Sequence, residues 1–193
     1  MKQINQKVLK NLIQVYLGSD EELVRRRSLE SLGYTSHPDV SGFIQRAYDS
    51  NNEEWLQSAL FAMGRSLDKR WNQSVLRMID HPDLQVRYEA VRAAGELELQ
   101  EAREMIFDLL EEGTDDNDLY FAAIWSLTKI GGKDVRALIE MNLEETDDLE
   151  EIQILEEALE NLDFTEQTNL FGMMYVEEND LESWEDEDDY LDD

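Results

Sequence analysis

The hydrophobic positions of residues 83–95 follow the period of an α-helix. The apolar side chains of this segment are separated by four, one and three positions, and they are Val86, Ala90, Val91 and Ala94. These spacings place them on one face of a helix with 3.6 residues per turn. We expect Gly95 to end the helix in a left-handed conformation. The segment is therefore predicted to be an amphipathic helix that packs on a neighbour through its small Ala90.

The same pattern can be aligned with four other places in the chain. The aligned copies end at intervals of 31, 31, 36 and 32 residues, at Gly33, Gly64, Gly95, Gly131 and Asp163. Five positions before each of these marks the side chain is small, and the residues are Ser28, Ala59, Ala90, Ser126 and Ala158. Repeats of this length are typical of helical pairs that stack on one another.

A second helix is predicted upstream of each patterned one. We place these first helices near residues 4–17, 38–48, 69–79, 100–111 and 134–143. Only two prolines and nine glycines interrupt the chain, which favours an all-α fold over strands. The polar loops at 50–52 and 114–118 supply N-cap side chains for the helices that follow them.

These elements divide the chain into three predicted regions. A solenoid spans residues 1–163, and its repeats lie at about 4–33, 34–64, 65–95, 96–131 and 132–163. Residues 164–176 hold enough apolar side chains to cover the end of the last repeat. Residues 177–193 form an acidic tail, which we expect to be disordered or docked.

The run Asp-x-x-Val-Arg-x-x-Ala-x-x-Ala-x-Gly at residues 83–95 resembles the HEAT repeat, in the phycobilisome-lyase-type form common in bacteria. Residues 23–33 are a second good copy. The resemblance implies a right-handed α-solenoid and a ladder of stacked Asp and Arg side chains, to which Arg25 and Arg87 would belong. Other side chains replace the arginine in three copies, at Leu56, Ala123 and Leu155, so the ladder is expected to be interrupted there.

The same resemblance implies a non-catalytic scaffold that binds another protein along a concave surface formed mainly by the second helices. The side chains that we expect to contact the partner are Arg27, Glu30, Gln57, Phe61, Tyr88, Arg92 and Trp125. Trp125 also fits a place in the core.

Charge is distributed unevenly along the chain, whose net charge is −29. Residues 1–100 carry 13 basic and 14 acidic side chains, and residues 101–193 carry 4 basic and 32 acidic ones. The acidic half would repel nucleic acids and anionic membranes, so we expect neither as a direct partner. Because the chain has no cysteine and its N-terminal segment does not read as a secretory signal, a reducing, cytoplasmic location is expected.

The tail places apolar anchors among carboxylates, namely Trp184, Tyr190 and Leu191. Such a segment can fill a groove and pair with arginines. The hypothesis is that it folds back on the partner-binding surface, or reaches a neighbouring molecule and so promotes self-association. Deleting residues 177–193 should then raise the affinity for an acidic or aromatic partner.

No catalytic, metal or cofactor site is predicted. The tripeptide His-Pro-Asp occurs at residues 37–39 and 81–83, where we interpret it as a helix start rather than as a co-chaperone motif. Both histidines therefore lie at helix starts, away from any nucleophile and carboxylate. The acidic run 115–118 lacks the glycine and the distal glutamate of a calcium-binding loop, so helix capping is favoured.

Two other functions stay open. The acidic half can imitate nucleic acid and occupy a DNA- or RNA-binding protein, which requires carboxylates spaced regularly along one face. Alternatively, the chain is a subunit of a chromophore lyase, as the type of repeat allows, although no residue marks a chromophore pocket.

Overall fold

The structure is a computed structural model that describes residues 5–164, with the side chain of Lys133 left out. These residues form helices and no strand, as the sequence predicts. The α-helices are α1 (Gln6–Gly18), α2 (Glu22–Leu32), α3 (Pro38–Tyr48), α4 (Glu53–Ser66), α5 (Asn72–Leu76), α6 (Leu84–Glu96), α7 (Arg103–Glu112), α8 (Asn117–Ile130), α9 (Lys133–Glu145) and α10 (149–164). Within this part of the chain, no helix has both the length and the apolar character needed to cross a bilayer.

The chain divides into two compact units, Met1–Val135 and Arg136–Asp193. In the first unit, each odd-numbered helix from α1 to α7 packs on the even-numbered helix that follows it. The even-numbered helices also stack on one another in the order α2, α4, α6, α8. Four helical pairs therefore form an all-α solenoid, in agreement with the predicted fold class. In the part of the second unit that the structure describes, the buried side chains are Ile139, Leu155, Ala158 and Leu162.

The helix preceding α6 is shorter than the sequence suggests. The apolar pattern predicts one helix over 69–79, but the chain forms a 3₁₀ turn at Lys69–Trp71 and then only five α-helical residues in α5. Trp71, Val75 and Ile79 are nevertheless buried. The inward side chains are therefore those that the pattern predicts, although the backbone that carries them is not one continuous helix.

The patterned helices α4, α6 and α8 begin with side-chain caps, and the caps fix their register. The Oδ1 atoms of Asn52, Asp83 and Asp116 accept hydrogen bonds from the backbone N–H groups three residues further on, at 3.1, 2.9 and 2.8 Å. The polar loops thus act as N-caps, as expected. The caps are separated by 31 and 33 residues, so the interval of 36 taken from the glycines misplaces α8 by three residues.

The aligned glycines have a different role from the predicted one. Gly64 and Gly95 lie inside α4 and α6, so the left-handed cap expected at Gly95 is wrong. Gly33 follows the end of α2 in a right-handed conformation. A Cβ atom on Gly95 would lie 2.7 Å from the Cα of Ser126. Gly33 and Gly64 are equally close to the next helix, at Ala62 and Ala93. These glycines allow neighbouring backbones to touch, and among the aligned marks only Gly131 has a positive φ, of 76°.

The two His-Pro-Asp tripeptides are helix starts. The Nδ1 atom of His37 accepts a hydrogen bond from the N–H of Asp39 at 3.3 Å, and Pro38 is the first residue of α3. His81 repeats this bond with Asp83, whose own side chain caps α6. The histidines thus order the chain before two helices, which confirms the interpretation from the sequence.

Candidate protein-binding face

The exposed side of the stacked even-numbered helices carries rows of equivalent residues. Intervals of 31, 31 and 33 residues, read from the caps and the glycine contacts, place one residue of each row on each helix, except that Tyr34 of the second row lies in the turn after α2. One row consists of Glu30, Phe61, Arg92 and Trp125, and a second, one helical turn further on, consists of Tyr34, Arg65, Glu96 and Lys129. All eight side chains are half-buried or exposed. We call this surface, together with Arg27, Gln57, Tyr88, Glu89 and Phe121 beside it, the second-helix face.

Aromatic rings and guanidinium groups alternate across this face. The Cζ atom of Arg65 lies 5.7 Å from the ring centre of Tyr34 and 5.4 Å from that of Phe61. The Cζ atom of Arg92 lies 5.5 Å from the ring centre of Phe61 and 5.4 Å from that of Tyr88. Both arginines are within the range of cation–π attraction, so Phe61 on α4 joins two cations of neighbouring rows. The stacking keeps long side chains in defined positions.

Carboxylates hold the same cations from a second direction. The Nη1 atom of Arg65 donates to Glu96 at 3.0 Å, and Lys129 of α8 pairs with the other oxygen of Glu96. The Nη1 atom of Arg92 donates to Glu89 at 3.2 Å. These ion pairs join α4, α6 and α8 into one network, and each arginine is fixed by a ring and an anion together.

Glu30 on α2 and Glu89 on α6 each hold an arginine of the face. Glu30 accepts bonds from Arg27 at 2.7 Å and from the hydroxyl of Ser58 at 2.8 Å. The bond to Glu30 raises the pKa of Arg27. Burial raises the pKa of Glu89, and the charge of Arg92 opposes that rise only in part. Glu89 is therefore a partly desolvated carboxylate whose charged form depends on its arginine.

A cavity of about 290 Å³ opens between α6 and α8. Its aromatic walls are Tyr88, Phe121 and Trp125, and Arg92 and Lys129 also line it. This volume lies at the lower end of the range of about 300–1,000 Å³ that is usual for small-molecule sites. Trp125 is half-buried and lines the cavity, so it is accessible rather than part of the core.

The residues predicted from the sequence all lie on the even-numbered helices of the first unit. Five of them take part in the contacts described above, and they are Arg27, Glu30, Phe61, Tyr88 and Arg92. Gln57 is half-buried on α4, at the position equivalent to that of Tyr88 on α6. The predicted tail anchors Trp184, Tyr190 and Leu191 lie outside the described residues.

Sequence reasoning missed the second row of the face. Tyr34, Arg65, Glu96 and Lys129 each follow a residue of the first row by four positions, the spacing that brings two side chains to the same side of a helix. Adding four to the predicted residues Glu30, Phe61, Arg92 and Trp125 would have found all four.

The ladder implied by the HEAT resemblance does not form as expected. Arg25 donates to the backbone carbonyl of Ser19 at 3.1 Å and lies 6.0 Å from the Trp55 ring centre. The inter-repeat ion pair is made instead by Arg26, which contacts Glu54 at 3.0 Å. The Nε–H group of Arg87 is buried and donates to no partner among the described residues. The predicted Asp–Arg ladder is therefore replaced by contacts that differ between repeats.

The described residues hold no cluster of three or more side chains arranged to bind a metal ion. The acidic loop before α8 uses Asp116 to cap the helix, as the capping interpretation requires. Surface stacking, hydrogen bonding and ion pairing are thus the chemistry that the second-helix face offers.

Comparison with known proteins connects this architecture to a family of repeats. The family model for HEAT repeats matches residues 72–160. The match supports a HEAT-repeat protein, and proteins of this kind are generally non-catalytic scaffolds for protein interactions. It concerns HEAT repeats in general, so the phycobilisome-lyase-type form stays a prediction. No curated protein matches the chain.

Proposed function

We propose that this HEAT-repeat protein binds a partner protein on its second-helix face. The observation that carries the proposal is the alternating stack of Tyr34, Arg65, Phe61, Arg92 and Tyr88. Aromatic residues and arginines are the side chains enriched where protein interfaces derive most of their affinity. Here they come from α4, α6 and the turn after α2, and the cation–π contacts already hold them against one another. Binding would therefore cost little side-chain entropy.

The test compares two double variants of the full chain as baits for partners from native lysate. Arg65→Ala with Arg92→Ala removes both stacked cations of the face. Arg46→Ala with Arg77→Ala removes two exposed arginines from the other side of the helical pairs and changes the net charge equally. We expect the first variant to lose a stoichiometric partner that the control keeps. Equal capture by both baits would contradict the proposal, and partners that duplex DNA displaces would favour nucleic-acid mimicry.

The proposal includes the acidic tail of residues 177–193 as a competitor for the same face, acting within one molecule or between two. Its support is the sequence, which combines aromatic anchors with carboxylates. Substituting Trp184, Tyr190 and Leu191 by alanine should raise the affinity for the captured partner. Unchanged affinity, measured by titration of the purified partner, would remove the tail from the proposal. The division into a solenoid of 1–163 and a cap of 164–176 belongs to the same proposal.

A further inference from the structure

The ion pairs of the second-helix face expose their cations more than their carboxylates. The side chain of Arg27 is 70% exposed, whereas that of its partner Glu30 is 12% exposed. Lys129 is 42% exposed and Glu96 is 22% exposed. The same order holds with smaller differences for the pair of Arg65 with Glu96 and for that of Arg92 with Glu89. An approaching molecule therefore meets positive charge first.

Ion pairs elsewhere between the repeats of the first unit have the opposite order. Arg26 is 14% exposed, and its partner Glu54 is 63% exposed. Asp134 is likewise more exposed than Arg103. The pair of Arg70 with Asp68, in the turn after α4, shares the order of the face but lies outside it. The outward-facing cations of the second-helix face therefore contrast with the acidic character of the chain as a whole.

The partly buried carboxylates hold these cations without using all of their donors. Among the described residues, the ion pairs of Arg27, Arg65 and Arg92 engage only the Nη1 atom. A guanidinium group has five N–H donors in a rigid fork that fits a second carboxylate. Because ring stacking orients the forks of Arg65 and Arg92, both arginines are prepared to bind another anion.

The cavity between α6 and α8 adds an apolar subsite next to these cations. Phe121 and Trp125 form its walls, and Arg92 and Lys129 lie at the same opening. A single ligand can therefore place an aromatic or large aliphatic side chain between the rings and its carboxylates on the neighbouring cations. Asp118 and Glu96 also line the cavity and disfavour a further negative charge inside it, so the inserted side chain should be uncharged.

From this arrangement we propose that the partner presents an acidic peptide segment with an apolar anchor, whose carboxylates bind Arg65, Arg92 and Lys129 while the anchor enters the adjacent cavity. The inference rests on the proposed function and specifies the chemistry of the partner. A peptide is favoured over nucleic acid because a long phosphate backbone would extend beyond the few cations of the face into a chain of net charge −29.

The test measures binding of labelled synthetic peptides to the full chain by fluorescence anisotropy. The main probe has about twelve residues, with aspartates and glutamates around a central tryptophan. Its controls replace the acids by Asn and Gln, or by Lys and Arg, or replace the tryptophan by alanine. We expect binding of the acidic probe to weaken about tenfold when Arg65→Ala and Arg92→Ala are combined, and less than about threefold with Arg46→Ala and Arg77→Ala.

Other results would overturn the inference. These are absence of binding by the acidic probe, equal or tighter binding of the neutral or basic peptide, insensitivity to the face variant, or stronger competition by a single-stranded oligonucleotide than by unlabelled acidic peptide. The proposed function can survive such a failure. If the captured partner is still lost with the face variant, the face binds protein of another chemistry; if it is retained, the function itself fails.

Discussion

At the scale of single residues, buried glycines determine how closely the helices approach. Gly95 lies against the backbone of Ser126, and the hydroxyl of Ser126 donates to the carbonyl of Val91 at 2.8 Å. A small residue on each side of the contact leaves space for this bond, so a methyl group there would separate α6 from α8. The contact therefore stabilises the structure through the absence of a side chain.

Gly95→Ala should lower the free energy of unfolding by about 1–3 kcal/mol, because the added Cβ overpacks a backbone contact. Gly42→Ala is the matched control, since Gly42 lies within α3 with open space around it. That substitution should raise the free energy of unfolding by up to about 1 kcal/mol through helix propensity. Urea unfolding of both variants checks the pair, and equal effects would contradict the assigned role of Gly95.

Glu89 gives a residue-scale prediction that depends on pH. The pKa of Glu89 is raised in the folded protein, so the folded state favours the protonated carboxyl. This contribution to the stability of the fold is present at low pH and is lost as pH rises through the pKa of the folded state. Glu89→Gln removes this dependence. The stability of the variant relative to the original protein should therefore increase from about pH 4 to pH 7 in urea unfolding.

The exposed substitution Glu101→Gln controls for the loss of one negative charge. A relative stability of Glu89→Gln that stays constant or falls over the same pH range would show that Arg92 compensates fully for the buried charge.

At the scale of elements, the first turn of each patterned helix determines its register. In α8 the sequence permits two alignments, because Leu127 and Ile130 are both apolar and both end a plausible helical pattern. The cap at Asp116 selects the alignment with an interval of 33 residues. Periodicity alone could not make this choice, since it identifies the face of a helix but not its starting residue.

Asp116→Ala should reduce the free energy of unfolding by about 1 kcal/mol, because the N–H of Leu119 loses its acceptor. The neighbouring exposed substitution Asp115→Ala removes the same charge without removing the cap, and its effect should stay within about 0.5 kcal/mol. Thermal unfolding of the two variants provides the comparison. Similar losses would mean that general loop electrostatics, rather than the cap, stabilise the start of α8.

The sequence predicts some elements better than others for identifiable reasons. The bounds of α3 agree with the expected 38–48, because Pro38 starts the helix and polar residues follow Tyr48. The segment before α6 has equally regular apolar residues, but its backbone tightens into a 3₁₀ turn that a spacing pattern does not reveal. Likewise, the face residues share a helical spacing, whereas their ion pairs across helices depend on tertiary packing.

At the scale of the whole molecule, the net charge of the chain differs from the local charge of the second-helix face. Residues 101–193 carry nearly all of the net charge of −29, while most cations of the second-helix face come from the near-neutral first hundred residues. A uniform polyanion would not need partly buried glutamates to hold arginines at its surface. In the proposed function, the overall charge repels nonspecific anions and the local arrangement of the face selects the partner.

The glycine contacts have a consequence for how such a protein can change. The backbones of neighbouring helices meet directly at Gly33, Gly64 and Gly95. The spacing of α2, α4, α6 and α8 is therefore set by backbone atoms, which every residue has. Substitutions in the exposed rows then leave that spacing intact. Natural variation or protein engineering can therefore change the side chains of the face one at a time, while the spacing of the stacked helices stays the same.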